Sequence, residues 1–395
     1  MQEVSQQRIT WIDEFKGFVL LLVCLFHVEQ SFAHVNMGME HLSAFRMSAF
    51  FFISGVLFST RRFPDFKSYA LHKTKVLLLP YVFLSLLFLA LDPVLYHFEW
   101  FPRAPKMAIM YTYPTITNVW EYIGWNLVKI FGVGKSCIGS GPIWFVFTLY
   151  CISIAFFGIQ KIAGNISFRL LRHTVPRNDV RGESSLSAGL KKIIIAVFAI
   201  ASLTGGWLLF RNHIRLPLGI ERSLTTLFFF ACGWLCKDFI KVLSRCKSFI
   251  LVFVAIASFL LYGFIDEATP WFSIMNNDLG KSLPKFLGSS FLGILGLVSA
   301  FQLLSRLPDA ALFRIPKGIL RNIARNGMII LAIHWWILLI LRIVFKPELD
   351  KPYIAYLSIL IVAIGVVAAI PLFRCKLNWL IAKEPVSVRE SLSIR

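Results

Sequence analysis

The stretch FKGFVLLLVCLFHVEQ, residues 15–30, is an apolar run that contains a lysine and a histidine. Lys16 lies near its start, and His27 follows eleven residues later. On an α-helix, eleven steps give a rise of about 16 Å and bring two side chains within ~20° of one face. Ionisable groups at such a depth in a bilayer are costly and usually serve a function. The stretch therefore predicts a membrane helix with Lys16 and His27 as the first candidates for chemistry.

The composition extends this prediction to the whole chain. Of its 395 residues, 57% are hydrophobic and 16% are charged, which leaves too little polar surface for a soluble protein. Ten apolar stretches are long enough, or nearly so, to cross a hydrocarbon layer of ~30 Å as helices. They are roughly residues 15–35, 44–60, 75–92, 142–160, 192–210, 219–236, 248–265, 286–304, 328–345 and 352–373. We expect an all-α bundle of about ten transmembrane helices, since barrel strands would alternate in polarity.

The distribution of basic residues predicts the orientation of this bundle. Most of the 41 Lys and Arg residues lie on one side if the N-terminus is cytoplasmic, in agreement with the positive-inside rule. Both termini and the basic loops at about 61–75 and 161–191 are then cytoplasmic, and the long segment at about 93–141 is outside. The net charge of +20 follows from this topology and gives affinity for anionic headgroups. Nucleic-acid binding would need a basic face on a soluble domain, which the sequence lacks.

We expect one membrane domain over residues 1–395 without an appended soluble module. The first apolar run has no A-x-A-like site after it, so it is expected to stay as a helix rather than be cleaved. The seven cysteines indicate no disulfide framework. Cys232 and Cys236 have no His or Cys partners at metal spacing, and we expect no metal site.

Three segments resemble the opening blocks of a known family. They are RITWIDEFKGFVLLLVCLFHV at 8–28, FRMSAFFFISGVLF at 45–58 and YALHKTKVLLLPY at 69–81. Together they resemble the membrane-bound acyltransferase-3 family, especially saccharide O-acetyltransferases of the fucose 4-O-acetylase type. In that family a basic residue, ten further residues and a His occupy the first helix, which matches Lys16 and His27 here. Ser48 stands where the second block usually has Pro.

Three later segments are weaker landmarks of the same family. They are GPIWFV at 141–146, FFFACGWLCK at 228–237 and RNGMIILAIH at 325–334. They contain Trp144 and His334, which we interpret as supporting site residues, His334 as an acceptor-side or structural contact. The resemblance implies acetyl-CoA as the donor co-substrate and a hydroxyl of a cell-surface saccharide, or of its lipid-linked precursor, as the acceptor. It also implies a multi-pass protein of the bacterial inner membrane.

His27 could act in two ways in such a reaction. A neutral imidazole can take a proton from a sugar hydroxyl as that hydroxyl attacks a thioester carbonyl. It could instead accept the acetyl group itself and pass it on. The competing interpretation is a buried histidine that hydrogen-bonds to a neighbouring helix and has no catalytic role.

Lys16 lies too far from His27 on a straight helix for direct contact, so the two need separate roles. Lys16 could bind a phosphate of CoA or polarise the thioester, with Asp13 three residues earlier to hold it. Alternatively, Lys16 sets the orientation by reaching the inner interface, and Asp13 caps the helix. Cys24 also faces the His27 side, although a packing role is the simpler interpretation.

The loop between the second and third predicted helices contains five basic residues: Arg61, Arg62, Lys67, Lys73 and Lys75. Clustered guanidinium and ammonium groups suit the phosphates of CoA, and we assign Arg61, Arg62, Lys73 and Lys75 to donor binding. The positive-inside rule alone would account for the same residues.

A transporter or flippase of a glycan or lipid-linked glycan is the alternative function. Lys16 and His27 would then line its path. A glycan polymerase or ligase agrees less well, because such enzymes commonly carry a large outer domain. The acyltransferase hypothesis also requires a cavity that connects His27 with the basic cytoplasmic rim.

Overall fold

The computed structural model describes residues 10–32, 35–60, 63, 65–97, 116–135, 138–171, 180–266, 272–308, 310–345 and 351–378. Within these ranges the chain is helical and contains no β-strand, only a single bridge between Ser273 and Asp278. The helices are α1 (Thr10–Ser31), α2 (Ser43–Val56), α3 (Phe66–Lys73), α4 (Leu79–His97), α5 (Val119–Val128), α6 (Trp144–Leu171), α7 (Val180–Arg211), α8 (Ile220–Leu235), α9 (Lys237–Leu243), α10 (Ser248–Asp266), α11 (Leu283–Leu304), α12 (Ala311–Arg325), α13 (Gly327–Val344) and α14 (Pro352–Pro371). The all-α prediction is confirmed.

Each of the ten predicted apolar stretches overlaps one of these helices. Among the described residues, seven helical segments are long and apolar enough to cross a membrane. The other three stretches correspond to α1, which carries four charged residues, and to α2 and α8, which have only 14 and 16 residues. A polytopic membrane bundle is therefore confirmed, with seven spans assigned by length and composition alone.

The basic segment predicted as a loop at 61–75 is helical from Phe66 onwards. Asp65 starts this helix, because its side chain accepts a hydrogen bond from the Ser68 amide at 2.6 Å. That hydrogen bond holds the pKa of the exposed Asp65 carboxyl below its usual range. A π-turn at Thr74–Leu78 joins α3 to α4, so Lys73 lies within a continuous helical segment.

Two other predicted connections are also shorter than expected. In the segment at 161–191, α6 continues to Leu171 and α7 begins at Val180. The segment at 93–141 contains the end of α4 and all of α5. Helices extend beyond the hydrocarbon layer without any change in backbone geometry, so hydropathy does not mark their ends.

Two glycines allow α2 and α8 to pack with their backbones in contact. A Cβ atom on Gly55 would lie 1.9 Å from the carbonyl oxygen of Phe230, and one on Gly233 would lie 1.9 Å from that of Phe52. Small residues drive helix association in membranes because lipid tails leave no hydrophobic gain between helices. The sequence FISG is therefore a packing element in this fold.

Replacing Gly55 by alanine is expected to destabilise the bundle by about 1–3 kcal/mol, because the added methyl group forces two backbones apart. The free energy of unfolding in detergent measures this loss. Gly158→Ala is the matched control, since no atom lies within 4 Å of a Cβ at Gly158. Equal stability of the two variants would contradict the packing role of Gly55.

Helix α12 lies between the predicted apolar stretches 286–304 and 328–345, where hydropathy predicts no membrane helix. It packs along the first half of α1, where a Cβ on Gly17 would lie 1.9 Å from the Leu320 carbonyl oxygen. Arg321 lies 3.4 Å from the carboxylate of Glu14, which is almost fully buried. A buried carboxylate requires such a partner, so this ion pair fixes α12 against α1.

The two ends of the bundle are formed by different residues and chain segments. At the end that we call the Lys16 end, the Lys237 ammonium donates to the carbonyl oxygen of Phe58. At the other end, which we call the loop end, the chain segments 35–42, 212–219 and 272–282 meet. Helix α1 runs from the Lys16 end towards the loop end and carries His27 inside the bundle.

Candidate active site

His27 of α1 and His334 of α13 form a direct pair inside the bundle. Nδ1 of His27 lies 3.0 Å from Nε2 of His334, and the two rings lie edge to edge, with centroids 5.3 Å apart and planes inclined by 25°. His334 is completely buried, and its Nδ1 lies 2.6 Å from the carbonyl oxygen of Ile330, one turn earlier on α13. The structure therefore unites the two intramembrane histidines that the sequence singled out separately.

This geometry fixes the tautomer of each neutral ring. A carbonyl oxygen only accepts hydrogen bonds, so Nδ1 of His334 carries its proton and donates to Ile330. Nε2 of His334 is then an acceptor, so Nδ1 of His27 must be the donor between the rings. His27 consequently keeps Nε2 as its unprotonated, basic nitrogen. The arrangement suits a general base that is oriented from behind by a second ring.

Trp335 and the GPIWFV segment hold the other side of His27. The Trp335 ring meets the His27 ring edge-on, with centroids 5.1 Å apart. Gly141 has a φ of +27°, and a Cβ at this position would lie 2.6 Å from Nε1 of Trp335. Only glycine allows the backbone to approach the indole this closely. The backbone at Gly141 thus packs against Trp335, which in turn contacts His27.

His27 opens onto a cavity of ≈ 200 Å³, which we call the His27 cavity. Its polar lining includes Gln30, Arg46 and Asn276, and its aromatic lining includes the predicted residue Trp144. Trp144 is nearly buried, with the guanidinium carbon of buried Arg222 5.8 Å from its ring centroid. The cavity therefore offers hydrogen-bond donors and acceptors beside a basic nitrogen.

Arg46 is a residue of this cavity that the sequence reasoning missed. Its guanidinium lies 3.7 Å from the Phe26 ring centroid and donates to the Met39 carbonyl oxygen at 2.7 Å. The detectable signal was a charged side chain within the apolar run of α2. Glu29, which the helix geometry turned away from His27, accepts hydrogen bonds from the amides of Met37 and Met39.

A second cavity, of ≈ 460 Å³, lies at the Lys16 end and is called the Lys16 cavity. Lys16, His72 and Lys73 line it together. The charges of Lys16 and Lys73 repel each other there, and the Lys73 ammonium lies 5.4 Å from the Tyr69 ring centroid. Two cations held in one concave site favour an anionic ligand.

Of the other predicted donor-binding residues, Lys75 lies within the described part of the chain. Lys75 is exposed and does not line the Lys16 cavity. Arg61 and Arg62 lie outside the described residues. Asp13 occupies the first turn of α1, whose described part begins at Thr10.

The His27 cavity and the Lys16 cavity are both bordered by α1, α2 and α6, but they share no lining residue. On α2, Met47 lines the His27 cavity and Ser54 lines the Lys16 cavity, with Phe50 between them. On α6, Phe145 and Leu149 line the two cavities respectively. The rings of Phe50 and Phe145 meet edge-on with centroids 4.9 Å apart. The described residues thus form two separate cavities, without the continuous connection that the acyltransferase hypothesis requires.

A third cavity, of ≈ 450 Å³, has an almost entirely apolar lining between α1, α12, α13 and α14. Cys24 and His334 both border it. Cys24 therefore lines this apolar cavity and not the His27 cavity. Within the described residues, no group of three or more His, Cys, Asp or Glu side chains could hold a metal ion.

Comparison with known proteins identifies the family of this chain. No curated protein and no solved structure matches it. The family model Acyl_transf_3, described as an acyltransferase domain, matches residues 9–373. This match includes α1 with Lys16 and His27, and it extends through α13 with His334. The chain therefore belongs to the acyltransferase-3 family, and it is a multi-pass membrane acyltransferase.

Proposed function

We propose that this protein transfers an acetyl group from cytoplasmic acetyl-CoA to a hydroxyl of a cell-surface saccharide or its lipid-linked precursor. It would do so in the bacterial inner membrane, with the Lys16 end facing the cytoplasm. The observation that carries the proposal is the His27–His334 pair, whose hydrogen bonds leave Nε2 of His27 unprotonated on a side chain that lines the His27 cavity. Acyl transfer to a hydroxyl needs such a base.

In the proposed step, Nε2 of His27 takes the proton of the acceptor hydroxyl as its oxygen attacks the thioester carbonyl. The carbon–sulfur bond then breaks, and the imidazolium returns the proton to the departing thiolate. The hydrogen bond from Nδ1 of His27 to His334 persists while His27 is charged, so the ring keeps its orientation. His334 is thus a positioning residue and His27 the catalytic one.

Covalent transfer through His27 is the other route that this geometry allows. The same Nε2 would attack the thioester and carry the acetyl group to the hydroxyl. A protein that uses this route releases one equivalent of thiol from acetyl-CoA before any saccharide is added. Direct transfer releases thiol only when the saccharide is present.

The Lys16 cavity is the proposed donor site. Lys16 and Lys73 would bind phosphates of CoA, and Arg61, Arg62 and Lys75 of the same predicted cytoplasmic segment would add positive charge. The acetylated arm would then extend along α1 towards His27. This route requires the Phe50 and Phe145 rings to separate when the donor binds.

Purified protein in lipid nanodiscs provides the direct test of the function. It is given acetyl-CoA and de-O-acetylated polysaccharide from the producing cells. We expect thiol release together with a new O-acetyl methyl signal in the NMR spectrum of the polysaccharide. Movement of glycan across the membrane without consumption of acetyl-CoA would instead identify a transporter or flippase and overturn the proposal.

Replacing Lys73 by alanine is expected to raise the KM for acetyl-CoA about tenfold, because a charge-assisted hydrogen bond to phosphate is lost. Steady-state thiol release measures this change. Lys67→Ala is the matched control, since Lys67 is exposed on the same helix and does not line the Lys16 cavity. An equal KM for the two variants would exclude Lys73 from donor binding.

A further inference from the structure

A polar cavity of ≈ 320 Å³ lies at the loop end and has no role in the chemistry described so far. We call it the loop-end cavity. Its walls come from the end of α7, the segment 212–219, the start of α8 and the segment 274–278. The cavity is lined by the aromatic, charged and polar side chains of Phe210, His213, Arg215, Glu221, Asn276 and Asp278, among others.

The loop-end cavity adjoins the His27 cavity. Asn276 lines both cavities and thus forms part of the wall between them. Its side-chain oxygen accepts a hydrogen bond from the Lys135 ammonium at 3.1 Å, and its carbonyl oxygen accepts one from the Arg215 guanidinium. A ligand with several polar units could therefore occupy both cavities across Asn276.

The walls of the loop-end cavity are held in place before any ligand arrives. Glu221 is nearly buried; it accepts a hydrogen bond from the Leu216 amide at 3.1 Å and lies 3.9 Å from the Arg215 guanidinium. Asn277 is buried and bonds to Thr225 on α8. A site fixed in this way loses little conformational entropy when a ligand binds.

Two residues of the cavity adopt the left-handed backbone conformation, which is uncommon outside glycine although Asn and His tolerate it better than most residues. His213 has a φ of +54° and Asn277 a φ of +49°. Such conformations persist only where the surrounding structure imposes them, and they cluster at ligand sites. Together with the fixed walls, they support a binding role for the two segments.

The side chains of the cavity define the class of ligand. The lining combines a guanidinium, an imidazole, two side-chain amides, two carboxylates and one phenyl ring, so hydrogen-bond donors and acceptors are mixed. A hydrocarbon chain would leave these polar groups unpaired. The phosphates of CoA would meet the carboxylates of Glu221 and Asp278. Sugar hydroxyls, which both donate and accept, match the mixture, and the apolar face of a pyranose can rest on Phe210.

We infer that the loop-end cavity is a saccharide subsite for the non-reacting sugar units of the acceptor. This inference rests on the proposed function. Arg215, Glu221 and Asp278 bind hydroxyls of these distal units, and the chain then passes Asn276 into the His27 cavity. The spacing between the loop-end cavity and the His27 cavity therefore determines which hydroxyl of the acceptor reaches Nε2 of His27.

Binding of oligosaccharide in the absence of acetyl-CoA tests this subsite separately from catalysis. The probe is the oligosaccharide fraction that mild acid releases from the polysaccharide of the producing cells, after de-O-acetylation with mild base. Calorimetry with full-length protein in nanodiscs measures the Kd. We expect Arg215→Ala to weaken binding about tenfold, the loss typical of one hydrogen bond to a charged group.

Two further variants keep the result interpretable. His213→Asn removes an exposed imidazole from the cavity and retains a residue that tolerates positive φ, so the fold is preserved while binding weakens. Arg211→Ala removes an exposed positive charge that does not line the cavity, and its Kd should equal that of the unmodified protein.

Three outcomes would overturn the subsite: unchanged binding in both cavity variants, equal weakening in Arg211→Ala, or no binding by the unmodified protein. Failure of the proposed function looks different. In that case, acetyl-CoA yields no thiol with any saccharide, while the dependence of sugar binding on Arg215 remains measurable.

Discussion

Replacing His27 by alanine is expected to lower saccharide acetylation by about 10²–10⁴-fold, the range typical for loss of a general base. The loss should appear in kcat, because the proposed donor site is the Lys16 cavity, which His27 does not line. Thiol release and the O-acetyl methyl signal of the polysaccharide measure it together. Expression should remain close to that of the unmodified protein, and the melting temperature should fall modestly, because buried His334 loses a hydrogen bond.

Cys24→Ala is the matched control on the same helix. Cys24 lies one turn before His27 but borders the apolar cavity and not the His27 cavity. Its removal should leave acetylation unchanged, which would also exclude an acyl-cysteine intermediate. Normal acetylation by a well-expressed His27→Ala protein would reject His27 as the catalyst.

Replacing His334 by alanine is expected to lower kcat about 10²-fold and to leave the KM for acetyl-CoA unchanged. Without the acceptor at Nε2 of His334, nothing fixes which nitrogen of His27 carries the proton. The base is then in the wrong tautomer or orientation for part of the time. The same steady-state assay separates this effect on kcat from any effect on donor binding.

His334→Gln distinguishes positioning from packing. The side-chain oxygen of glutamine can accept the hydrogen bond from His27, so this variant should recover a large part of the lost kcat. His334→Leu preserves bulk without an acceptor and should resemble the alanine variant. Equal activity of the glutamine and leucine variants would show that His334 serves only to fill space.

The fold follows largely from local properties of the sequence. Apolar runs of about 20 residues must satisfy their backbone hydrogen bonds internally within a bilayer, and a helix achieves this with any apolar sequence. Each run predicted from hydropathy is accordingly helical in the structure. The extents of the polar connections were less predictable, because helices such as α6 and α7 continue beyond their apolar windows.

Helix α12 shows what hydropathy alone cannot reveal. Its sequence mixes basic and apolar residues, and hydropathy predicts no membrane helix there. It forms a helix against α1 because Gly17 offers a close contact to Leu320 and buried Glu14 offers a partner to Arg321. Both interactions join residues about 300 positions apart, so neither leaves a local signal.

The sequence by itself determined the helical membrane architecture and the candidates Lys16 and His27, because hydropathy and the period of a helix are local properties. Only the tertiary structure decided how these candidates are arranged. It joined His27 to His334 on a distant helix, grouped Lys16 with Lys73, and left Lys75 exposed outside the Lys16 cavity. Such pairings depend on how helices rotate and pack against each other, and no single helix specifies that arrangement.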